Sequence, residues 1–230
     1  MYKDKRILAL IPAREGSKRL IGKNTKLFLG KPLIPRPINE AKKSKYIDSI
    51  VVSTDDKKIA AISKTYGASV PFIRPKRLAT DSAKSMDVIL HALEWFQKKS
   101  EVYDLIMLLQ PTSPLMMSSD IDSSIKLLFS KDATAIVSVF NSGYKPLWSA
   151  MLSKNGCMKN FIKKSKSGRK APEHHTLNGA IYLSYCDYLK KHKSFFGNKT
   201  FAYIMPEERS IDIDNEFEFK IAEELFKYIK

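Results

Sequence analysis

The chain has 230 residues, 43% of them apolar, enough to close one sizeable core and too many for a disordered polymer. Lys and Arg number 40 against 24 Asp and Glu, a formal charge of +16 that favours an acidic partner such as a nucleotide, a nucleic acid or an acidic sugar without choosing among them. The two cysteines, Cys157 and Cys186, sit in no metal-type spacing, and no apolar run approaches the roughly 18 residues of a membrane span, so a protein of a reducing cytoplasm is expected.

In chain order, Ile7 to Ile11 reads as a buried strand stopped by Pro12, which has no N–H for a ladder. The loop beyond it carries Arg14, Lys18, Arg19, Lys23 and Lys26 among Gly16, Ser17 and Gly22, small residues that let backbone N–H groups approach an anion. It has the layout of a polyphosphate cradle but the spacing of neither a dinucleotide fingerprint nor a P-loop. A helix is expected over Ile38 to Tyr46, a strand over Ser49 to Ser53, and a helix over Lys57 to Tyr66 stopped by Gly67. A strand over Ala68 to Ile73 follows, then a helix from about Ser85 to Lys99 and an apolar strand over Leu105 to Leu109. This alternation predicts an α/β domain whose mostly parallel sheet is covered by helices on both faces. A helix over Asp120 to Phe129 and a strand over Ala133 to Phe140 continue the rhythm.

Residues 141 to 177 break it with scattered Gly and Pro among polar and basic residues, and read as an arm inserted within one domain of residues 1 to 230. Strands over Gly179 to Leu183 and Phe201 to Met205 then flank a helix near Tyr185 to Lys191, and a last helix runs from about Glu216 to Lys230.

Two further stretches carry chemistry. In Ile211-Asp212-Ile213-Asp214, extended backbone puts both carboxylates on one face, their stems roughly 6 to 7 Å apart, while the isoleucines face the core. Such a pair can hold one divalent cation, and beside a polyphosphate oxygen-only ligation selects Mg²⁺. The competing reading is a helix cap, because Asn215 and Glu218 have capping-box spacing. The run Leu109-Gln-Pro-Thr-Ser-Pro-Leu115 ends a buried strand in a polar turn, which places Gln110 where α/β sheets bind ligands. Arg74 before Leu78-Ala-Thr-Asp81 is either a ligand-facing cation or half of a surface ion pair, and His91, Trp95 and Phe96 read as helix packing.

Taken together and in this order, these stretches resemble the acylneuraminate cytidylyltransferases, also called CMP-sialic acid synthetases. The pieces are Ile11-Pro-Ala-Arg-Glu-Gly-Ser-Lys18 with Lys23-Asn24, Val52-Ser-Thr-Asp-Asp56, Arg74-Pro-Lys-Arg-Leu-Ala-Thr-Asp81 with Ser85 and Asp87, Leu109 to Leu115, Asn178-Gly-Ala-Ile-Tyr182 and Ile211 to Asp214. The resemblance implies a Rossmann-like nucleotidyltransferase fold with a dimerisation and sugar-binding arm, a homodimer serving surface-polysaccharide biosynthesis, and CTP and Mg²⁺ used to convert a nonulosonic acid into its CMP-sugar with release of pyrophosphate. It casts Arg14, Ser17, Lys23 and Asn24 on the triphosphate, Arg74 and Ser85 on the nucleotide, and Gln110 on the cytidine or the sugar. Asp212 and Asp214 hold the metal and, with Arg14 and Lys23, form the catalytic set. On the substrate side stand Arg169, Lys170 and Asn178, the first two offered for the sugar carboxylate. No histidine base lies near these motifs, so deprotonation of the anomeric hydroxyl is expected to fall to water or hydroxide on the metal.

Two departures bear on the sugar. Met116 stands where the family usually has Arg, and Gly168-Arg-Lys-Ala-Pro-Glu-His-His175 replaces an Arg-Gln-x-Leu-Pro-aromatic arm. Legionaminic, pseudaminic and other 3-deoxy-ulosonic acids stay open, with Asn178-Gly-Ala-Ile closer to the sialic and legionaminic branch. The rival class, a nucleic-acid-binding protein, needs basic residues interleaved with exposed aromatics, and no such run is present.

Overall fold

A computed structural model describes residues 1–143 and 174–229. The element order is β1 (Ile7–Pro12), β2 (Leu27–Phe28), β3 (Lys31–Pro32), α1 (Pro35–Lys43), β4 (Ser49–Ser53), α2 (Lys57–Thr65), α3 (Ser85–Lys98), β5 (Leu105–Leu109), α4 (Ser118–Ser130), β6 (Ala135–Asn141), β7 (His175–Tyr185), α5 (Cys186–His192), β8 (Thr200–Ile204) and α6 (Glu216–Ile229). Six strands form one sheet in the order β4-β1-β5-β7-β6-β8. The pairs β4 with β1, β1 with β5 and β6 with β8 are parallel, whereas β7 runs against both β5 and β6. The expected mostly parallel sheet therefore holds, with one reversed strand.

Strand alternation sorts the core into two layers. Ile7, Ala9 and Ile11 of β1 and Leu105, Met107 and Leu109 of β5 pack on one face with Ile38 of α1, Ile59 of α2 and Ile121 and Ile125 of α4. Leu8, Leu10, Ile106 and Leu108 face the other side, against Ile89, Leu93 and Phe96 of α3 and Leu189 of α5. Both strands are buried throughout their apolar run, as the absence of polar residues within them requires. Helix α6 closes a third cluster, Phe219 and Ala222 meeting Leu20, Phe28, Leu115 and Ile213.

Several expectations are corrected. Ala68 to Ile73 is not a strand but two isolated parallel bridges, Val51 with Ser69 and Thr54 with Ile73, because Pro71 between them offers no N–H to a ladder. Helix α1 starts at Pro35, three residues before the expected Ile38, and ends at Lys43 rather than Tyr46. Both prolines lie in its first turn, where a missing N–H costs nothing. The hairpin β2–β3, unforeseen, turns through Leu29 and Gly30 at φ of 49° and 80°. The excursion is also shorter than residues 141 to 177, since β6 extends through Asn141, β7 begins at His175, and these two residues pair in register. Arg169 and Lys170 lie outside the described residues. Met116 is buried in the first core layer.

Candidate active site

Strand β1 is followed in sequence by β4 on one side of it and later by β5 on the other. Its C-terminal end is thus a topological switch point, the place where the flanking loops diverge and leave a crevice. A cleft of about 500 Å³ opens there, lined by Arg14, Ser17, Lys18, Arg19, Lys23 and Asn24 from the loop after β1, by Arg74, Asp81 and Ser85 among others leading into α3, by Gln110 to Thr112 after β5, and by Asp214. Four regions far apart in sequence share one wall because each follows a strand end or leads into a helix at the same edge.

The loop after β1 is held by its own backbone. Ala13 donates to the Ser53 carbonyl at 3.0 Å, Gly22 turns at φ 64°, and residues Lys23 to Thr25 form a 3-10 turn. Buried Asn24 donates from Nδ2 to the Arg14 carbonyl at 2.9 Å, joining the two ends of the loop. Lys23 reaches down to the Ile213 carbonyl at 2.6 Å and lies 3.7 Å from Asp214, with its side chain only 11% exposed. Burial pushes its ammonium below the ordinary lysine pKa, against the pull of Asp214 and Asp212. The loop and the carboxylate segment, expected to be halves of one site, are thereby tied to each other; Arg19 at 2.9 Å from Asp214 and Lys26 at 3.1 Å from Glu216 add exposed ion pairs.

The carboxylates sit as extended alternation requires: Ile213 is fully buried between Asp212 and Asp214. Asn215, not Asp214, caps α6. Its Oδ1 accepts from Glu218 N at 3.0 Å, and Glu218 in return accepts from the Asn215 and Asp214 amides at 3.1 and 2.6 Å. Asp214 is left for the cleft. Asp212 is solvent-accessible, and no cation lies within 4 Å of it among the described residues. Its carboxyl is raised above the usual range, first by the protein bulk around it and then by the Asp214 charge, despite a hydrogen bond with Thr112 and the nearby Lys23.

Arg74, at 4% exposure, donates to the Ser53 hydroxyl at 3.1 Å, to the Ser53 carbonyl and to the Leu78 carbonyl at 3.4 Å, and desolvation brings its pKa to about 10. It stays cationic at neutral pH. Ser85 is the first residue of α3, at the helix end whose dipole favours negative charge. Asn178 is not brought to the cleft. It is 2% exposed, accepts from Ser138 Oγ at 2.6 Å and Ala180 N at 3.2 Å, and donates to Ser210 Oγ at 2.9 Å, bonds that fix the bulge between β6 and β7.

Gln110 and Ser85 also border a second cavity of about 280 Å³, continuous in its lining with the first and walled by Met86, Tyr182, Phe195 and Phe196. The Tyr182 and Phe195 rings lie 5.3 Å apart. Sequence reasoning missed these aromatics: Tyr182 looked like a strand residue, and the only available signal was the Phe195-Phe196 doublet in an otherwise polar loop. Gly179, at φ 73°, lies beside Asp212 Oδ2 and Gln110 Nε2, 3.5 and 3.6 Å from where a Cβ would stand. Asp81 was likewise missed as a site residue, though it bonds two of the cradle's cations.

A cationic floor, a carboxylate pair and an adjoining aromatic cavity at a switch point suit transfer of a phosphoryl-linked group to a polar acceptor. The sequence profile of the family described as Cytidylyltransferase matches residues 8–227. The chain belongs to the cytidylyltransferase family. This cytidylyltransferase is accordingly a nucleotidyltransferase. It is 36% identical over 237 residues to a CMP-N,N'-diacetyllegionaminic acid synthase of Legionella pneumophila, covering 96% of this chain and 97% of that protein. It is also 36% identical over 219 residues to an N-acylneuraminate cytidylyltransferase of Escherichia coli, covering 94% of this chain but 51% of that relative, so it spans about half of the latter's length. In fold it is similar to a CMP:2-keto-3-deoxy-manno-octonic acid synthetase solved with CTP, at TM-score 0.71 and 17% identity over 98% of this chain and 100% of that one. No helix among the described residues is long and apolar enough to cross a membrane.

Proposed function

We propose that this cytidylyltransferase takes CTP and a nonulosonic acid of the sialic or legionaminic type and releases the CMP-sugar and pyrophosphate. The observation that carries the reading is the cleft itself, whose lining of Arg14, Lys23, Arg74 and Asp214 meets an aromatic-walled cavity at Gln110. Relatives named for legionaminic and N-acylneuraminic acids support the choice of sugar. The reading extends to a homodimer placed in the cytoplasm, on the strength of the sequence resemblance.

In this reaction the anomeric hydroxyl of the sugar forms a bond to the α-phosphorus of CTP while the α–β phosphoanhydride bond breaks, pyrophosphate leaves with the bonding pair, and the hydroxyl proton passes to solvent. Arg14 and Lys23 neutralise charge that grows on the phosphates, from positions fixed before the substrate arrives. Arg74 and Ser85 hold the nucleoside end. Gln110 stands between the cavities and orients the acceptor, and Tyr182, Phe195 and Phe196 give its acyl groups an apolar wall that keeps water from the reacting phosphorus.

Asp212 and Asp214 would hold Mg²⁺. They offer hard oxygen donors, they lie beside the phosphate cradle, and among the described residues no further His, Cys, Asp or Glu completes a metal cage, which suits an ion that keeps waters and phosphate oxygens as ligands. When bound, the ion supplies Lewis-acid charge to the triphosphate.

The test is a panel of CTP, ATP, UTP and GTP against sialic, legionaminic, pseudaminic and 3-deoxy-manno-octulosonic acids, read as pyrophosphate release with and without Mg²⁺. Turnover restricted to CTP with a sialic or legionaminic acid, and dependent on Mg²⁺, is the expected result. Release with no sugar acid, or a preference for another nucleotide, refutes the proposal. Salt-sensitive binding of RNA without any turnover would point to the rival reading of the +16 charge.

A further inference from the structure

Asp81 lies in the segment between α2 and α3 and lines the cleft. Its two oxygens are both engaged: Oδ1 is 2.7 Å from Arg14 and Oδ2 is 2.7 Å from Lys18. Both partners belong to the loop after β1, which lines the same cleft. A planar, doubly accepting anion bridging two cations is the geometry in which a phosphate group would bind the same side chains. Arg14 has a second anchor, since it donates to the Ala79 carbonyl at 3.3 Å, but Lys18 is 84% exposed and has no other ion-pair partner among the described residues.

We propose that Asp81 is a built-in stand-in for phosphate: it bridges Arg14 and Lys18 and competes with the incoming polyphosphate for them. The inference rests on the nucleotide reading of the cleft and adds a positioning residue to it. Two consequences follow from charge alone. Before nucleotide binds, the carboxylate ties Arg14 and Lys18 to one another and lowers the repulsion among them and the neighbouring cations. When nucleotide binds, these bonds must be exchanged, so part of the attraction between loop and phosphates is spent on displacing Asp81. Because all three groups are substantially solvent-exposed, the exchange is inexpensive and reversible, which suits a site that must also release pyrophosphate.

Asp81→Asn tests this. Asparagine keeps the shape and one acceptor, Arg14 keeps its Ala79 bond, and the cleft gains one unit of positive charge. Calorimetric titration in metal-free buffer, with pyrophosphate, CTP and cytidine as separate ligands, reads the effect. Pyrophosphate and CTP should each bind about twofold to thirtyfold more tightly to the variant, the worth of two exposed ion pairs, while cytidine affinity stays within about twofold because the nucleoside never meets these cations. A merely structural Asp81 predicts the opposite pattern: unchanged or weaker pyrophosphate binding, or cytidine and pyrophosphate shifting together, and either result overturns the proposal. Wild-type protein that binds neither CTP nor pyrophosphate would instead sink the nucleotide reading along with it.

Discussion

Asp212→Asn separates a catalytic carboxylate from a structural one most cleanly. The substitution is isosteric, and the energetic terms can be placed from the structure. The hydrogen bond with Thr112 survives through the amide oxygen but loses its charge, a cost of about 1 kcal/mol. Against this, the repulsion from Asp214 disappears: at the roughly 6.5 Å spacing of alternate extended residues it amounts to between about 0.6 and 2.5 kcal/mol for effective dielectrics of about 80 and 20. With no cation within 4 Å of Asp212 among the described residues, no ion pair is sacrificed. The variant should therefore unfold at or slightly above the wild-type temperature. The pH dependence has the same sign. The folded-state pKa of Asp212 is raised above its unfolded value, so the ionised form lowers stability at neutral pH, a cost that fades as pH falls through the folded pKa and that the asparagine lacks altogether. Turnover should fall by about 10³-fold, near 4 kcal/mol of transition-state stabilisation, if the pair holds the metal. Thermal unfolding at pH 5 to 8 and steady-state pyrophosphate release over a Mg²⁺ titration measure both sides. Activity within threefold of wild type, or a large loss of stability, refutes the reasoning.

Lys23→Met should lower kcat/KM by about 10² to 10³ and leave the Ile213 carbonyl without its donor, with a modest fall in melting temperature; a change confined to melting temperature would deny Lys23 a role on the phosphates. Gly179→Ala puts a methyl between Gln110 and Asp212 at a backbone conformation alanine disfavours by about 1 kcal/mol, so KM for the sugar acid should rise more than KM for CTP, as two-substrate kinetics will show. Asp120→Ala removes a fully buried carboxylate that accepts from Arg209 at 2.6 Å, Tyr203 at 3.0 Å and the Met117 amide at 2.9 Å. Denaturant unfolding should report a loss of about 3 to 5 kcal/mol, and a loss under 1 kcal/mol would show that Arg209 finds another partner.

Much of this architecture is legible in one dimension because the signals are local. An unbroken apolar run as short as Ile7 to Ile11 or Leu105 to Leu109, each followed closely by a proline, reads as a strand buried on both faces, and alternation alone put Asp212 and Asp214 on one side of Ile213. The capping box at Asn215 and Glu218, weighed as a rival to a metal role, is present, and by occupying Asn215 it leaves Asp214 for the cleft. Local signals misled where two rules conflict: Pro71 vetoed a ladder that β-branched neighbours favoured, and Pro35 and Pro37 opened a helix they were taken to precede.

What the sequence by itself determined is which residues are cationic, acidic or apolar and with what period, hence the strands, the helices, the loop of cations and the carboxylate pair. Only the tertiary structure decided who meets whom. Asn178, placed on the substrate side by resemblance, is buried and bonded to Ser138 and Ser210 beside the bulge between β6 and β7. Tyr182, Phe195 and Phe196, given no role from sequence, line a cavity. Asp81 looked like one acid in a surface segment and bridges Arg14 to Lys18. The physical reason is common to all three: a side chain's partners across a sheet edge are set by strand order and loop path, and those depend on contacts distant in the chain that no local period encodes.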